Sequence, residues 1–315
     1  MSGVLGKRLV FVTGKGGVGK STAATALGLV AARQGRRTVV AELASQERTQ
    51  RLFERNGELF RELRLAENLY TISIDPQHAM EEYLEVKVGA LGHALSSSRL
   101  FSAFAMATPG MRELLTIGKV WELSQSERRT KGARPYDLVI VDAPSTGHGL
   151  GLLRTPATFA GIARVGPVAH QARTIAATIA DRSVTGVIAV ATAEEMPVNE
   201  TIGLDRGLRE AGLELDLVIV NGLYPSRFVP EDVDELTAAL QRTRSRRTRS
   251  ALRAALSEEA RARTQRAQRD RLGDKAGGPV VDLPYVFAEH LGPEQIDQLA
   301  DALSRQMDGA ARTAS

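Results

Sequence analysis

The chain has 315 residues, 43% of them hydrophobic and 25% charged, with a formal charge of +4. That balance is ordinary for a globular protein, and so small a charge gives no general argument for nucleic-acid binding. The absence of cysteine excludes disulfides and thiolate metal sites, and 4% aromatic residues leave little for stacking on unpaired bases. No apolar run reaches membrane-spanning length and the N-terminus has no signal-peptide core, so a cytoplasmic location is expected.

Arg8 to Thr13 is a β-rich apolar run, and it leads into Gly14-Lys15-Gly16-Gly17-Val18-Gly19-Lys20-Ser21-Thr22. This stretch fits G-x-x-x-x-G-K-[ST]. Glycines let successive backbone N–H groups curl round a phosphate, and a following helix N-terminus adds partial positive charge. Lys20 is then placed to reach the β/γ-phosphates and Ser21 to ligate Mg²⁺. Ala23, Leu27, Val30 and Ala31 recur at helical spacing, so strand, loop and helix stand in the order the motif requires. The sequence predicts a nucleoside triphosphate cradled by Gly14 to Thr22; the alternative is an ordinary glycine turn beside a lysine.

Gly35 closes that helix, and Arg37 to Leu43 reads as the second strand, with Glu42 at its end. A charged helical interval leads to a third strand at Leu69 to Ile74. Asp75 is an N-cap and Pro76 a first-turn residue for the next helix, whose apolar stripe is Met80, Tyr83 and Leu84. From about 86 to 134 the pattern stays helical. Leu91, Ala94, Leu95, Leu100, Phe101, Phe104 and Met106 form one apolar piece, ended by Thr108-Pro109-Gly110. Leu114, Leu115, Ile117, Val120, Trp121 and Leu123 form a second. The pair reads as cover for one sheet face, or alternatively as an apolar surface for a client or partner.

Asp137 to Asp142 is the strongest strand: four apolar residues ending in an aspartate at the carboxyl end, where open α/β sheets bind ligands. Asp142 there would hold Mg²⁺ through water or meet the attacking water; the alternative is a turn cap. The tail Ala143 to Gly149 reads as a segment free to sense a γ-phosphate, with His148 either a polar switch residue or a functional one. A helical segment over about 150–182 precedes strands at Gly186–Ala191, Leu217–Val220 and Val280–Asp282. Arg242, Arg244, Arg246, Arg247, Arg249 and Arg253 invite a nucleic-acid reading. The preferred one is a solvated helix packed through Ala251, Leu252, Ala255 and Leu256. Gly273 to Gly278 reads as a loop and Ala310 to Ser315 as a frayed tail. The pattern predicts a three-layer, doubly wound, mostly parallel α/β sheet of the P-loop NTPase kind, in one domain over 1–315 with a small helical subdomain.

The second lysine of the loop, Lys15, resembles that of the deviant Walker A ATPases: the partition, septum-site, nitrogenase-iron and arsenite/tail-anchored-protein groups. In those, such a lysine reaches across a dimer interface to the other subunit's nucleotide; a solvated loop lysine is the alternative. The ordered motifs together are similar to the family holding the arsenite-pump ATPase and the tail-anchored-protein targeting factor, and most of all to its short bacterial members. Gly14 to Thr22, Asn68 to Tyr83, Pro109 to Glu113, Asp142 to His148, Glu194 to Thr201, Val220 to Pro225 and Leu283 to Tyr285 carry that likeness over nearly the whole chain.

The resemblance implies an ATPase using ATP and Mg²⁺, with Lys15 (in trans), Lys20 and Asp142 as its catalytic groups; Glu42, the nearest carboxylate at the end of the second strand, is a further catalytic candidate toward Mg²⁺ or water, the alternative being a strand-end polar residue. It implies Ser21 and Asp142 as metal ligands and Asn221 and Pro284 at the adenine. It implies a homodimer, or a heterodimer with a paralogous ATPase, with a protein client on an apolar helical surface, no specific nucleic acid, and at most an indirect membrane link. Three departures stand out. Ala44 occupies the place of the family's water-positioning aspartate, so hydrolysis is expected to be slow or partner-dependent. The zinc- and arsenite-binding cysteines are missing, so neither zinc nor arsenite is expected. The segment from Gly147 to Val187 is short and poor in methionine. Two other readings stay open: a nucleotide-gated interaction protein with negligible hydrolysis beside a paralogous subunit, and a ParA/MinD-like partition or positioning ATPase.

Overall fold

Strands that are apolar on both faces must be covered on both faces. In β1 (Leu9–Gly14) and β2 (Thr38–Glu42) every residue is buried, and β6 (Thr185–Thr192) is buried along all but its last residue. The computed structural model, which describes residues 3–43, 48–88, 107–130, 132–162 and 166–313, sets them inside one eight-stranded sheet. The order is β3-β4-β2-β5-β1-β6-β7-β8, with β3 (Leu63–Ala66), β4 (Leu69–Ser73), β5 (Leu138–Ser145), β7 (Leu217–Leu223) and β8 (Val280–Pro284). All pairings are parallel except β3–β4.

Alternation along β1 divides the core in two. Leu9 and Phe11 point into a cluster with Ile72, Ile117, Leu152 and Ile175, whereas Val10 and Val12 join Leu27, Ile140, Ile296 and Leu303. The first cluster is covered by α4 (Met111–Leu123), α5 (Thr146–Ile162), α6 (Pro167–Ala180) and α7 (Glu195–Glu210). The second is covered by α1 (Lys20–Arg33) and α10 (Pro293–Thr313). The chain leaves β1 toward β2 on one side, and leaves β5 toward β6 on the other. The sheet therefore has its topological switch point at the carboxyl ends of β1 and β5, where doubly wound folds open a crevice.

Most expected elements are present. Asp75 caps α3 (Pro76–Val88), its Oδ1 accepting from the N–H groups of Gln77 and His78, both at 3.0 Å. The piece from Leu114 to Leu123 is α4, which buries Leu114, Ile117, Val120 and Leu123. Leu91 to Met106 lies outside the described residues.

Several expectations are corrected. The charged interval before the expected third strand holds a short helix, α2 (Arg48–Leu52), and also β3, which pairs antiparallel with β4 across a turn where Asn68 has φ 58°. Four residues of edge strand are too few to show a period of two. Of the tail after Asp142, Ala143 to Ser145 continue β5 and Thr146 to Gly149 open α5. The helical segment expected over about 150–182 falls on α5 and α6. The arginine-rich stretch spans the end of α8 (Pro230–Arg242) and the start of α9 (Arg246–Lys275). Ala251 is exposed, leaving Leu252, Ala255 and Leu256 half-buried. Gly273 is helical, since fully buried Leu272 seats that turn and the chain leaves the helix only at Ala276. Ala310 to Thr313 continue α10 rather than fray.

The outer edge of β8 is met by a side chain. Gln306 of α10 accepts from the Asp282 N–H at 2.7 Å and donates to the Asp282 carbonyl.

Candidate nucleotide-binding site

The loop between β1 and α1 owes its path to glycine. Gly19 has φ +89°, and a Cβ there would lie 2.2 Å from Asn221 Nδ2. That close approach lets Asn221, near the end of β7, donate to the Val18 carbonyl at 2.9 Å, so the loop is tied to a strand two places away in the sheet. A cavity of about 1050 Å³ opens beside it, lined by Gly17, Val18, Gly19, Thr22, Asn221 and Pro284, with Gln265, Tyr224 and Tyr285 on the far wall. Both residues expected at the base, Asn221 and Pro284, thus share one cavity with the loop.

Lys20 and Ser21 start α1 and are buried. Lys20 Nζ donates to the Lys15 carbonyl at 3.0 Å. Burial holds its pKa below the usual lysine range; Asp142 opposes that shift and Arg48 adds to it. Ser21 Oγ donates to Asp142 Oδ2 at 2.5 Å, joining the end of the loop to the end of β5. Burial raises the Asp142 pKa, against the Ser21 hydrogen bond and the Lys20 charge. Glu42 is the register partner of Asp142 across β2 and β5 and is 3% exposed. Its Oε1 accepts from the Thr49 N–H at 3.0 Å, and its Oε2 has no hydrogen-bond partner among the described residues. Burial also raises its pKa. Lys20, Ser21, Asp142 and Glu42 flank the loop rather than line the cavity.

Two expected residues stand differently. Lys15 is ion-paired with Glu200 of α7, and Glu200 Oε2 accepts from Thr146 Oγ1 at 3.1 Å. The Lys15 contact holds the Glu200 carboxyl below the usual range. Glu200 lies in the Glu194 to Thr201 segment that carries the resemblance, yet nothing in its spacing marks it as a partner of the loop. His148 is exposed on the first turn of α5. Ala44 lies outside the described residues.

A hydroxyl and a carboxylate in contact, beside a lysine and a loop of backbone N–H groups, suit a hard cation and a phosphate chain. Among the described residues no group of three His, Cys, Asp or Glu could hold a metal by itself, and no helix is long and apolar enough to cross a membrane. The sheet order, the switch-point crevice and the glycine loop define a P-loop NTPase fold.

The family can also be stated. The model of the family described as Anion-transporting ATPase matches residues 7–165 and 160–251, and the chain belongs to that family. It is 33% identical to ATPase BagA of Mycobacterium tuberculosis over 239 residues, 72% of this chain and 68% of that one. To ATPase GET3 of Kluyveromyces lactis it is 30% identical over 183 residues, 52% of each chain. To ATPase ASNA1 homolog 1 of Paramecium tetraurelia it is 30% identical over 148 residues, 47% of this chain and 43% of that one. Pro284 and most of α9 lie beyond the stretch that the family model matches.

Proposed function

We propose that this chain is a cytoplasmic Mg²⁺-dependent ATPase, acting as one domain, which converts ATP and water to ADP and phosphate. In this reading nucleotide state is coupled to closure of a dimer and to the binding of a protein client. The observation that carries it is the 2.5 Å contact between Ser21 and Asp142 beside buried Lys20, at the switch point of the sheet. Bound Mg²⁺ neutralises charge on the phosphates. Gly14 to Thr22 hold the phosphate chain through backbone N–H groups and the Lys20 ammonium, and Ser21 and Asp142 hold the metal. Asn221 and Pro284 bound the base. Glu42, with one carboxylate oxygen unpartnered among the described residues, is the group that orients a water. Lys15 serves the nucleotide of a second subunit, identical or paralogous.

A second reading, a nucleotide-gated interaction protein with negligible turnover, draws on Ala44, which stands where the resemblance puts a water-positioning aspartate. Steady-state hydrolysis by the chain alone and with a paralogous subunit separates the two. The ATPase reading expects turnover below the roughly 10 s⁻¹ typical of enzymes, raised by Ala44→Asp or by the second subunit. No phosphate release under any of these conditions leaves the second reading.

A further inference from the structure

The α8–α9 hairpin stands off from the core. No residue of α8 is buried, and the first buried residue of α9 is Glu259. Around the turn, residues 241–257 hold Arg242, Arg244, Arg246, Arg247, Arg249 and Arg253 and no aspartate or glutamate. All six are exposed. The ion pairs of the hairpin lie further along, on Arg227–Glu258, Arg266–Glu259, Arg269–Asp270 and Arg269–Asp282, and among the described residues none of the six is in one. Arg249 donates to the Thr243 carbonyl at 3.0 Å and Arg242 to that of Ala238 at 3.3 Å.

This placement works against the fold. Arg246, Arg247 and Arg249 sit in the first turn of α9, where the helix dipole favours acidic residues and disfavours cations. Arg246, Arg249 and Arg253 repeat at spacings of three and four, where like charges repel on a helix. Concentrated positive charge that costs stability is offset when a polyanion takes it up.

The chemistry of the tip narrows the polyanion. Guanidinium forks match phosphate oxygens in bidentate fashion, and the hydroxyls of Thr243, Ser245, Thr248 and Ser250 alternate with them, the donor set that contacts nucleic-acid backbones. No large apolar side chain of residues 241–257 is exposed, whereas a helix lying on lipid needs such anchors. The stretch has no aromatic residue, so it offers nothing for unpaired bases to stack on. We propose that the tip of the α8–α9 hairpin binds the phosphate backbone of duplex nucleic acid without reading base sequence. The root of the arm lies at the nucleotide cavity. Gln265 of α9 lines that cavity, donates to the Gly222 carbonyl at 3.1 Å and accepts from the Tyr224 N–H at 2.8 Å.

The experiment is fluorescence anisotropy of the full chain with a labelled DNA duplex of about 30 base pairs, in several unrelated sequences and over a salt series. Binding of equal strength to every sequence is expected. With all six arginines engaged, it should weaken about a thousandfold between roughly 50 and 200 mM salt. Replacing Arg244, Arg246, Arg247 and Arg249 together by Gln should flatten the log–log salt slope by roughly 3.6, at about 0.9 for each phosphate left without its arginine. Unchanged Mg-ATP affinity reports that this variant is folded, and Arg51→Gln with Arg55→Gln, outside the hairpin, should leave duplex binding intact. The proposal is overturned if the fourfold variant binds duplex as the wild type does. It is equally overturned if the wild type binds polyglutamate or phosphatidylserine vesicles at low salt but not the duplex. The outcome is independent of whether the chain hydrolyses ATP.

Discussion

Lys15 and Glu200 are ion-paired within one chain, and the second oxygen of the same carboxylate holds the hydroxyl of Thr146 at the start of α5. For Lys15 to serve the nucleotide of another subunit, it must first leave Glu200. Lys15→Ala is expected to keep Mg-ATP affinity while losing nucleotide-dependent dimerisation and hydrolysis. Glu200→Gln should move that dimerisation to lower protein concentration by no more than about fivefold, since partly exposed ion pairs are worth about 1 kcal/mol or less. Light scattering with a non-hydrolysable ATP analogue checks both. If Lys15→Ala dimerises as the wild type does, the trans role is wrong.

Lys20→Ala and Ser21→Ala should each cost about 1.5–3 kcal/mol of Mg-ATP affinity, roughly tenfold to over a hundredfold, the range for hydrogen bonds to charged groups. Titration calorimetry measures this directly. An unchanged affinity in Lys20→Ala would remove the basis for the nucleotide site.

Gly19→Ala tests the tie between the loop and β7. A methyl group there meets Asn221 Nδ2 at 2.2 Å, on backbone with φ +89°. Asn221 has to give up the Val18 carbonyl, and nucleotide affinity should fall at least tenfold, by about 1.4 kcal/mol or more. Asn221→Ala should reproduce part of the loss. Equal affinities in wild type and Gly19→Ala would show that the loop does not depend on this contact.

The fold should depend on pH through Glu122. This buried residue of α4 pairs with Lys119 at 2.9 Å and with Arg128 at 3.0 Å, while Lys119 also reaches Glu82 at 2.6 Å. Burial pushes its carboxyl up, but Lys119, the Arg129 N–H and Arg128 more than offset this, and its pKa lies below the usual range. The native state therefore favours the ionised form. Its contribution is complete above the ordinary glutamate value of about 4.3 and is lost as pH falls through the lower native value. Glu122→Gln should cost about 3 kcal/mol at neutral pH, as expected when one partner of a buried pair is removed. The gap between the two proteins should narrow with acidification. Denaturant unfolding at several pH values reads it, and a gap that stays constant refutes the assignment.

The sequence showed most of what is strongly periodic. β1, β5, β6 and the cap at Asp75 could be placed because apolar runs and turn chemistry are local signals, and the loop at Gly14 to Thr22 is a contiguous one. β3 escaped because a four-residue edge strand owes its existence to β4 rather than to its own pattern. The end of α9 escaped because burial of Leu272 outweighs the helix cost of Gly273. Within the site, Ser21 and Asp142 were legible separately, as loop end and strand end. Their contact, the engagement of Lys15 by Glu200 and the contact of Asn221 with Val18 join residues more than a hundred positions apart. Those pairings are properties of the sheet order, which no local pattern encodes.

Gln306 performs with one side chain the work of a further strand. Its amide presents an acceptor and a donor to Asp282 as a neighbouring backbone would, so β8 is already partnered at the point where another chain could zip on. At the opposite border, β3 is only four residues long and displays the charged Arg64. Both rims of the sheet are thus blunted against lateral growth into fibrils or sheet-to-sheet dimers. A second copy of this chain is thereby steered away from the rims of the sheet.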